Sequence, residues 1–138
     1  MMLLDTNVVS EPMRPSPSQR VVDWLDAQAV ETLFISAITV AELRYGVACL
    51  PLGRRRDLLA ERIESDVLPA FAGRVLVFDL PASQAFAELM ATAKTVGIGV
   101  SVADGLIAAI AKANGHVLAS RDESPFTRLG LRVVNPWD

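Results

Sequence analysis

Short apolar runs alternate with segments of helical hydrophobic spacing along most of the chain. The apolar runs carry few polar residues, which is typical of strands that are covered on both faces. Strands are predicted at residues 2–4, 33–35, 75–78, 116–119 and 132–134. Between them, apolar residues recur at intervals of three and four, which favours amphipathic helices. The pattern therefore predicts alternating strands and helices.

The predicted helices end at residues that commonly terminate helices. One is expected to close at Pro69, another at Gly97, and a third at Asn114-Gly115, where a glycine can adopt the left-handed backbone of a helix end. Strands that alternate with helices form a parallel sheet through right-handed crossovers. We therefore predict a three-layer α/β/α sandwich around a central, mostly parallel five-stranded sheet. A chain of 138 residues fits a single domain spanning 1–138.

Composition narrows the class of protein. The chain is 51% hydrophobic and 21% charged, which excludes general disorder. No apolar run reaches the roughly 18 residues that span a membrane, and Asp5 interrupts the first run too early for a secretory signal. A single cysteine cannot form an internal disulfide. We expect a cytoplasmic protein that does not bind membranes.

Net charge argues against simple electrostatic binding of nucleic acid. The chain carries 16 acids and 13 bases, for a net charge of −3. Domains that hold nucleic acid by charge alone are usually basic. Any action on nucleic acid would therefore need a metal at an acidic site, a local basic patch or a basic partner.

Acidic residues follow several of the predicted strands. Asp5 ends the first strand, Glu42 comes shortly after the second, and Ser120 and Asp122 follow the fourth. Asp104 opens the helix that leads into that fourth strand. Ligands of open parallel sheets bind beyond the carboxyl ends of the strands, where the strand order reverses. We therefore expect these four carboxylates to converge on one site.

Converging carboxylates need a counter-charge. Two of them about 4 Å apart repel by roughly 4 kcal/mol at an effective dielectric constant of about 20. Oxygen ligands without histidine or cysteine suit a hard cation such as Mg²⁺ or Mn²⁺. The chemistry that this arrangement favours is hydrolysis of phosphodiester bonds by metal-activated water.

Each acid also has an ordinary structural interpretation. Asp5 could end a strand in a turn, and Asp122 could be a solvated loop residue. Thr39 and Glu42 have the S/T-x-x-E spacing of a capping box, and Ser101 could cap the helix that contains Asp104. The combination of acids after strands one and four is harder to explain structurally than any one of them.

Four segments resemble PIN-domain ribonucleases. They are Leu-Leu-Asp-Thr-Asn at 3–7, Ser-Ala-Ile-Thr-Val-Ala-Glu-Leu at 36–43, Ala-Asp-Gly-Leu-Ile at 103–107 and Ala-Ser-Arg-Asp at 119–122. The resemblance covers essentially the whole chain. Within this family the chain is similar to the VapC toxins of type II toxin–antitoxin pairs. It looks most like their FitB branch, through residues 5–14, 20–26 and the ending Asn135-Pro136-Trp137.

The resemblance implies a metal-dependent endoribonuclease that is inhibited by a cognate antitoxin. One or two Mg²⁺ or Mn²⁺ ions would bind, although Ser124 stands where many relatives carry a further acid. The toxin would act as a homodimer or in a hetero-oligomer with the antitoxin, and the complex would repress its own operon by contacting operator DNA through the antitoxin. The implied catalytic and metal-binding residues are Asp5, Glu42, Asp104 and Asp122, and the implied orienting residues are Thr6, Asn7 and Ser120.

Arginines near these segments are candidates for contact with RNA or antitoxin. Cations are unfavourable at a helix N-terminus, yet Arg54, Arg55 and Arg56 follow Gly53 at a predicted helix start. Arg44 lies close to Glu42 and could pair with a local acid or with a partner. Arg121 precedes Asp122 and could contact a phosphate near the bond that is cut. A solvated turn is the plainer interpretation of the arginine triplet.

Two other functions remain open from the residues. A phosphatase of the haloacid dehalogenase type would use Asp5 as nucleophile, but it needs a second acid where Asn7 stands and a nearby lysine. A non-enzymatic module would use the acidic pocket only to receive an arginine from an antitoxin. A receiver domain is disfavoured because Asp79 lacks the accompanying hydroxyl and lysine pattern.

Overall fold

The fold is built on a parallel sheet with the strand order β3-β2-β1-β4-β5. A computed structural model describes residues 1–138. All four strand pairs are parallel, which confirms the predicted sandwich around a five-stranded sheet. The strands are β1 (Met2–Leu4), β2 (Leu33–Ser36), β3 (Val75–Leu76), β4 (Val117–Ala119) and β5 (Val133–Val134).

The third strand is shorter than its apolar run. The prediction of a strand over 75–78 is wrong at its carboxyl end, since Val77 and Phe78 lie outside β3 and are exposed. At this edge of the sheet, β3 pairs only with Ile35 and Ser36 at the end of β2. The segment that follows Ser36 is helical, so β2 offers β3 no further backbone groups for pairing.

Seven α-helices connect and cover the strands. The helices α6 and α7 end at Gly97 and Gly115, both in the left-handed conformation, as predicted. Short turns of 3₁₀-helix occur at Glu11–Met13, Val30–Thr32 and Thr127–Leu129. The α-helices are α1 (Thr6–Ser10), α2 (Gln19–Asp26), α3 (Ala37–Ala48), α4 (Arg54–Arg62), α5 (Leu68–Ala70), α6 (Leu80–Val96) and α7 (Val102–Asn114).

Pro69 does not end its helix, contrary to the prediction. A turn of π-helix over Ile63–Val67 joins α4 to α5, and Pro69 is the second residue of α5. Proline has no backbone N–H to donate, and it is tolerated in the first turn of a helical segment. The π-turn directly precedes α5, which starts a new helical segment with Pro69 in its first turn. The polypeptide therefore remains helical to Ala70.

The sheet separates two hydrophobic cores. On one face, Leu3 and Leu118 of the strands pack with α6 and α7. On the other face, Leu4 and Ile35 pack with α1, α3 and Ile63. The helices α6 and α7 approach closely at Gly105, where a Cβ atom would lie 2.6 Å from Met90 Sδ. This close packing fixes the first turn of α7 against the rest of the fold.

The strand order reverses at β1. The chain passes outward from β1 to β2 and β3, and then returns to place β4 on the other side of β1. Asp5 N donates to Ala119 O at 2.9 Å, which ties the ends of β1 and β4 together. The carboxyl ends of these two strands therefore form the switch point of the sheet.

No helix combines the length and apolar character required to cross a membrane.

Candidate active site at the switch point of the sheet

Asp5 occupies the centre of the switch point. It follows β1 directly and caps α1, with Oδ1 accepting a hydrogen bond from Thr6 N at 2.8 Å. Its other oxygen, Oδ2, accepts from Ser120 Oγ at 2.7 Å, across the junction between β1 and β4. Only 4% of the residue is exposed, and Ser120 is fully buried. The carboxylate is therefore rigidly held and nearly removed from water.

Burial makes the charge of Asp5 costly. Desolvation raises the pKa of Asp5 from 3.8 to about 6, against the lowering effect of the hydrogen bonds from Ser120 and Thr6. The charges of Asp104 and Glu42 make smaller contributions to the same rise of the pKa. Glu42 and Asp104 thus both act electrostatically on Asp5. Burial and this repulsion favour a proton on Asp5 or a cation beside it.

Glu42 reaches the site from the second turn of α3. Its Oε1 accepts a hydrogen bond from Thr6 Oγ1 at 2.7 Å. The capping-box interpretation of Thr39 and Glu42 is wrong, because α3 begins earlier and is capped by Ser36, whose Oγ accepts from Thr39 N at 3.1 Å. Glu42 is therefore free of a capping role.

Thr39 belongs to the site although the sequence motifs did not select it as a site residue. Its Oγ1 lies 3.0 Å from Thr6 Oγ1, and the residue is fully buried. Thr39 and Glu42 are three residues apart on one helix and so share a face. The three-residue spacing of Thr39 and Glu42 in the sequence indicates this shared face, although the same spacing also predicts a helix cap.

Asp104 lies in the capped first turn of α7 and also acts electrostatically on Asp5. Ser101 caps α7, with its Oγ accepting from Asp104 N at 3.1 Å, so the capping prediction is confirmed. The Asp104 carboxylate is half-buried, and its charge reaches Asp5. The cap fixes the backbone of Asp104, while its side chain contributes to the acidic cluster.

Asp122 lies at the edge of the site. The residue is exposed, and its carboxylate makes no hydrogen bond or ion pair. Its backbone N donates to Ser120 Oγ at 3.1 Å. Asn7 Oδ1 accepts a long hydrogen bond from Arg121 N at 3.4 Å. The structure thus places Glu42 and Asp104 within electrostatic reach of Asp5. Asp122 lies at the rim, and Asn7 of α1 contacts the loop that carries it.

The donor chemistry of the site fits a hard divalent cation. Asp5, Glu42 and Asp104 offer only oxygen, and their uncompensated charge supplies the attraction. In this structure no three His, Cys, Asp or Glu side chains lie close enough together to hold a metal ion. Mg²⁺ commonly binds through one or two carboxylates and keeps several waters, so this arrangement is compatible with it.

The arginines divide into two groups. Arg55 lines a groove of about 480 Å³ together with Thr6 and Glu42, and Arg54 lines an adjoining groove of about 490 Å³. Arg44 is committed elsewhere, because its Nε and Nη2 donate to both Glu64 carboxylate oxygens at 2.8 and 3.0 Å. Arg56 lies beside that ion pair in a smaller pocket, and Arg121 stacks over Trp137 at 5.3 Å. Among these five arginines, Arg55 thus lines the groove that contains Glu42, and Arg54 lines the adjoining one.

The fold and the site define an α/β protein with an acidic cluster at the switch point of a parallel sheet. The PIN domain family model matches residues 2–131. A VapC ribonuclease of Sinorhizobium fredii is 55% identical over 138 residues, covering 100% of this chain and 99% of its own length. The toxin FitB of Neisseria gonorrhoeae is 50% identical over 137 residues, covering 99% of each chain.

A solved structure supports the same relationship. The structure of FitAB bound to an IR36 DNA fragment matches with a TM-score of 0.95 at 49% identity, covering 100% of this chain and 96% of that one. The chain belongs to the PIN-domain family and, within it, to the VapC and FitB toxins of toxin–antitoxin pairs.

Proposed function

We propose that the protein is an endoribonuclease that depends on Mg²⁺ or Mn²⁺ and serves as the toxin of a type II toxin–antitoxin pair. The observation that carries this proposal is the nearly buried Asp5 carboxylate, which is fixed by two hydrogen bonds and repelled by Glu42 and Asp104. The ionised form of this carboxylate is disfavoured without a counter-charge, and it lies where parallel sheets bind ligands. Membership of the PIN domain family supports ribonuclease chemistry.

The proposed roles follow from the position of each side chain. Asp5, Glu42 and Asp104 hold the first ion, and Asp122 joins them from the rim. A bound divalent ion supplies Lewis-acid stabilisation of the charge on the phosphate. Ser120 fixes the orientation of Asp5 through its hydroxyl, and the backbone N–H of Thr6 donates to the same carboxylate. The hydroxyl of Thr6 fixes the orientation of Glu42. These contacts keep the carboxylates in place before any ligand arrives.

The groove beside Glu42 provides a path for the RNA strand. Its floor includes Leu43 and Val47, and Arg55 lies along it. Neither Arg54 nor Arg55 forms an ion pair with an acid of this chain. Their guanidinium groups are therefore available for phosphate oxygens, whose geometry they match. We therefore propose a phosphate contact for Arg54 and Arg55, for which a solvated turn remains the alternative interpretation, while Arg44 has no part in it.

An antitoxin partner is proposed from the relatives. FitB is named as a toxin, and FitAB is described as bound to DNA. We infer that a cognate antitoxin covers the acidic site of this chain and contacts operator DNA in an autorepressing complex, in which the toxin is a homodimer or part of a hetero-oligomer. The net charge of −3 supports leaving DNA contact to the partner. Action on cellular RNA implies a cytoplasmic location.

The nuclease is tested with antitoxin-free protein and a mixed pool of single-stranded RNA. Cleavage is measured with Mg²⁺, with Mn²⁺ and with EDTA, and Asp5→Asn protein purified in parallel controls for contaminating nuclease. We expect metal-dependent cleavage that the variant lacks. Cleavage by Asp5→Asn at the parental rate would refute the assignment.

The acidic cluster also suits a guanidinium group, which is the basis of a second candidate function. A partner-binding module would use Asp5, Glu42 and Asp104 to receive an antitoxin arginine without catalysis. Calorimetry separates the two functions, since a module binds the antitoxin tightly but binds neither Mn²⁺ nor RNA. Absence of both cleavage and Mn²⁺ binding in folded protein would favour the module.

A further inference from the structure

Three hydroxyl groups form a chain that ends on Glu42. Ser36 Oγ donates to Thr39 Oγ1 at 3.4 Å, Thr39 Oγ1 lies 3.0 Å from Thr6 Oγ1, and Thr6 Oγ1 donates to Glu42 Oε1 at 2.7 Å. Ser36 and Thr39 are fully buried, and Thr6 is half-buried. This hydrogen-bond chain joins the cap of α3 to the first residue of α1 and then to Glu42.

The protons of these hydroxyls can be assigned by counting. Each hydroxyl has one proton to donate and two acceptor positions. Thr6 gives its only proton to Glu42, which can only accept when ionised, so Thr39 must be the donor in its contact with Thr6. Thr39 then has no proton left for Ser36 and accepts from it, as the geometry shows. All three hydroxyl groups therefore point toward Glu42.

We infer that Thr39 is a positioning residue, which sets the orientation of the Glu42 carboxylate through Thr6. Thr6 alone could turn its hydroxyl toward Asp5 or toward solvent, because a threonine side chain in a helix has two accessible rotamers. The proton that Thr39 donates holds Thr6 Oγ1 in the rotamer that reaches Glu42. The role of Glu42 as a metal-holding carboxylate rests on the proposed function, whereas the hydrogen-bond chain does not.

The chain explains why threonine suits position 39. Valine has the same shape but no hydroxyl, so it would fill the buried space and break the chain in the middle. Serine would keep the hydroxyl and lose a methyl group. Groups that orient metal ligands typically change metal affinity by about 10- to 100-fold when they are removed. The pair Thr39→Val and Thr39→Ser thus separates loss of the hydroxyl from loss of packing.

The first test measures Mn²⁺ affinity by calorimetry and RNA cleavage kinetics for both variants. Thr39→Val is expected to weaken Mn²⁺ binding by about 10-fold or more and to lower kcat with a smaller change in KM. Thr39→Ser is expected to restore most of both. Equal losses in the two variants, or parental affinity in Thr39→Val, would overturn the inference.

The second test needs neither metal nor catalysis. Urea unfolding in EDTA is measured for Thr39→Val, for Glu42→Met, which removes the acceptor of the Thr6 hydroxyl, and for the double variant. Since the chain links the two side chains, the loss of stability in the double variant should be smaller than the sum of the single losses. Additive losses would contradict the link even if the protein proves to be a nuclease, and a non-additive result without cleavage would instead count against the proposed function.

If Thr39→Val does not fold, the parental protein still decides the question. A buried hydroxyl proton that is fixed in a hydrogen bond exchanges slowly and is observable by NMR. We expect such a proton on Thr39, with a contact to Thr6 and a shifted resonance in Glu42→Met, which removes the acceptor at the end of the hydrogen-bond chain. A resonance that is unchanged by Glu42→Met would refute this hydrogen-bond chain.

Discussion

Replacing Asp5 by asparagine should stabilise the metal-free protein at neutral pH. The pKa of Asp5 is raised from 3.8 to about 6, chiefly by burial. Because the folded state binds this proton more tightly than the unfolded state, the associated stability is present below about pH 4 and is lost as the pH rises through 6. At pH 7 the ionised carboxylate therefore weighs against folding.

The size of this effect follows from the shift of the pKa. A shift of about two units corresponds to roughly 3 kcal/mol at about 1.4 kcal/mol per unit. Little solvent screening applies, since Asp5 is only 4% exposed. Asparagine keeps an acceptor for Thr6 N but turns an amide N–H toward Ser120 Oγ, which costs about 1 kcal/mol of hydrogen bonding. We therefore expect a net gain of roughly 2 kcal/mol at pH 7.

The assay is urea unfolding in EDTA between pH 4.5 and 8. The parental protein should lose stability relative to Asp5→Asn as the pH rises through 6, so the two curves should diverge. Asp26→Asn on α2 is the matched control, because Asp26 is exposed and the change in charge is the same. Parallel pH profiles for the parental protein and Asp5→Asn would refute the reasoning about burial. Added Mn²⁺ should stabilise the parental protein and leave Asp5→Asn nearly unchanged.

Two further predictions test the groove and the packing beneath the site. Arg55→Gln should raise the KM for RNA and lower the salt dependence of binding with little effect on Mn²⁺ affinity, as measured by binding titrations at several salt concentrations; an unchanged salt dependence would exclude a phosphate contact. Gly105→Ala should change the free energy of unfolding by no more than about 1 kcal/mol in urea unfolding, because alanine favours the helix and the flexible Met90 side chain, whose Sδ would lie 2.6 Å from the new Cβ, can move aside. A loss well above this value would contradict such a movement of Met90.

The sheet and the principal acids were accessible from the sequence because their signals are local. An apolar run that stops at Asp5 marks both the end of a strand and the edge of the sheet where ligands bind. Asp104 is likewise marked by the cap that precedes it. The topology then brings such residues together without further information, since carboxyl ends of parallel strands share one edge. For that reason the grouping of Asp5 with Asp104 could be predicted.

Contacts between distant segments were not accessible in this way. Thr6 and Thr39 are 33 residues apart, and their contact depends on the rotation of α3 against α1. Arg44 pairs with Glu64 because the π-turn after α4 carries that glutamate to α3, which no periodicity in the sequence indicates. The capping-box error is local instead, because α3 begins at Ala37, three residues before the start that a cap at Thr39 would give.

The hydrogen bonds around the acids oppose the electrostatics, and this opposition bears on function. Ser120 donates to Asp5 and Thr6 donates to Glu42, so these hydroxyls hold both carboxylates in place although burial, and to a smaller extent the neighbouring charges, disfavour the ionised form of Asp5. A cation that enters the cluster finds its ligands already oriented and removes the repulsion in one step. Any binder of positive charge, a divalent ion or a partner's guanidinium, gains from the same stored repulsion. Metal and arginine are therefore expected to compete for this site, and Mn²⁺ should weaken an antitoxin contact that inserts an arginine here.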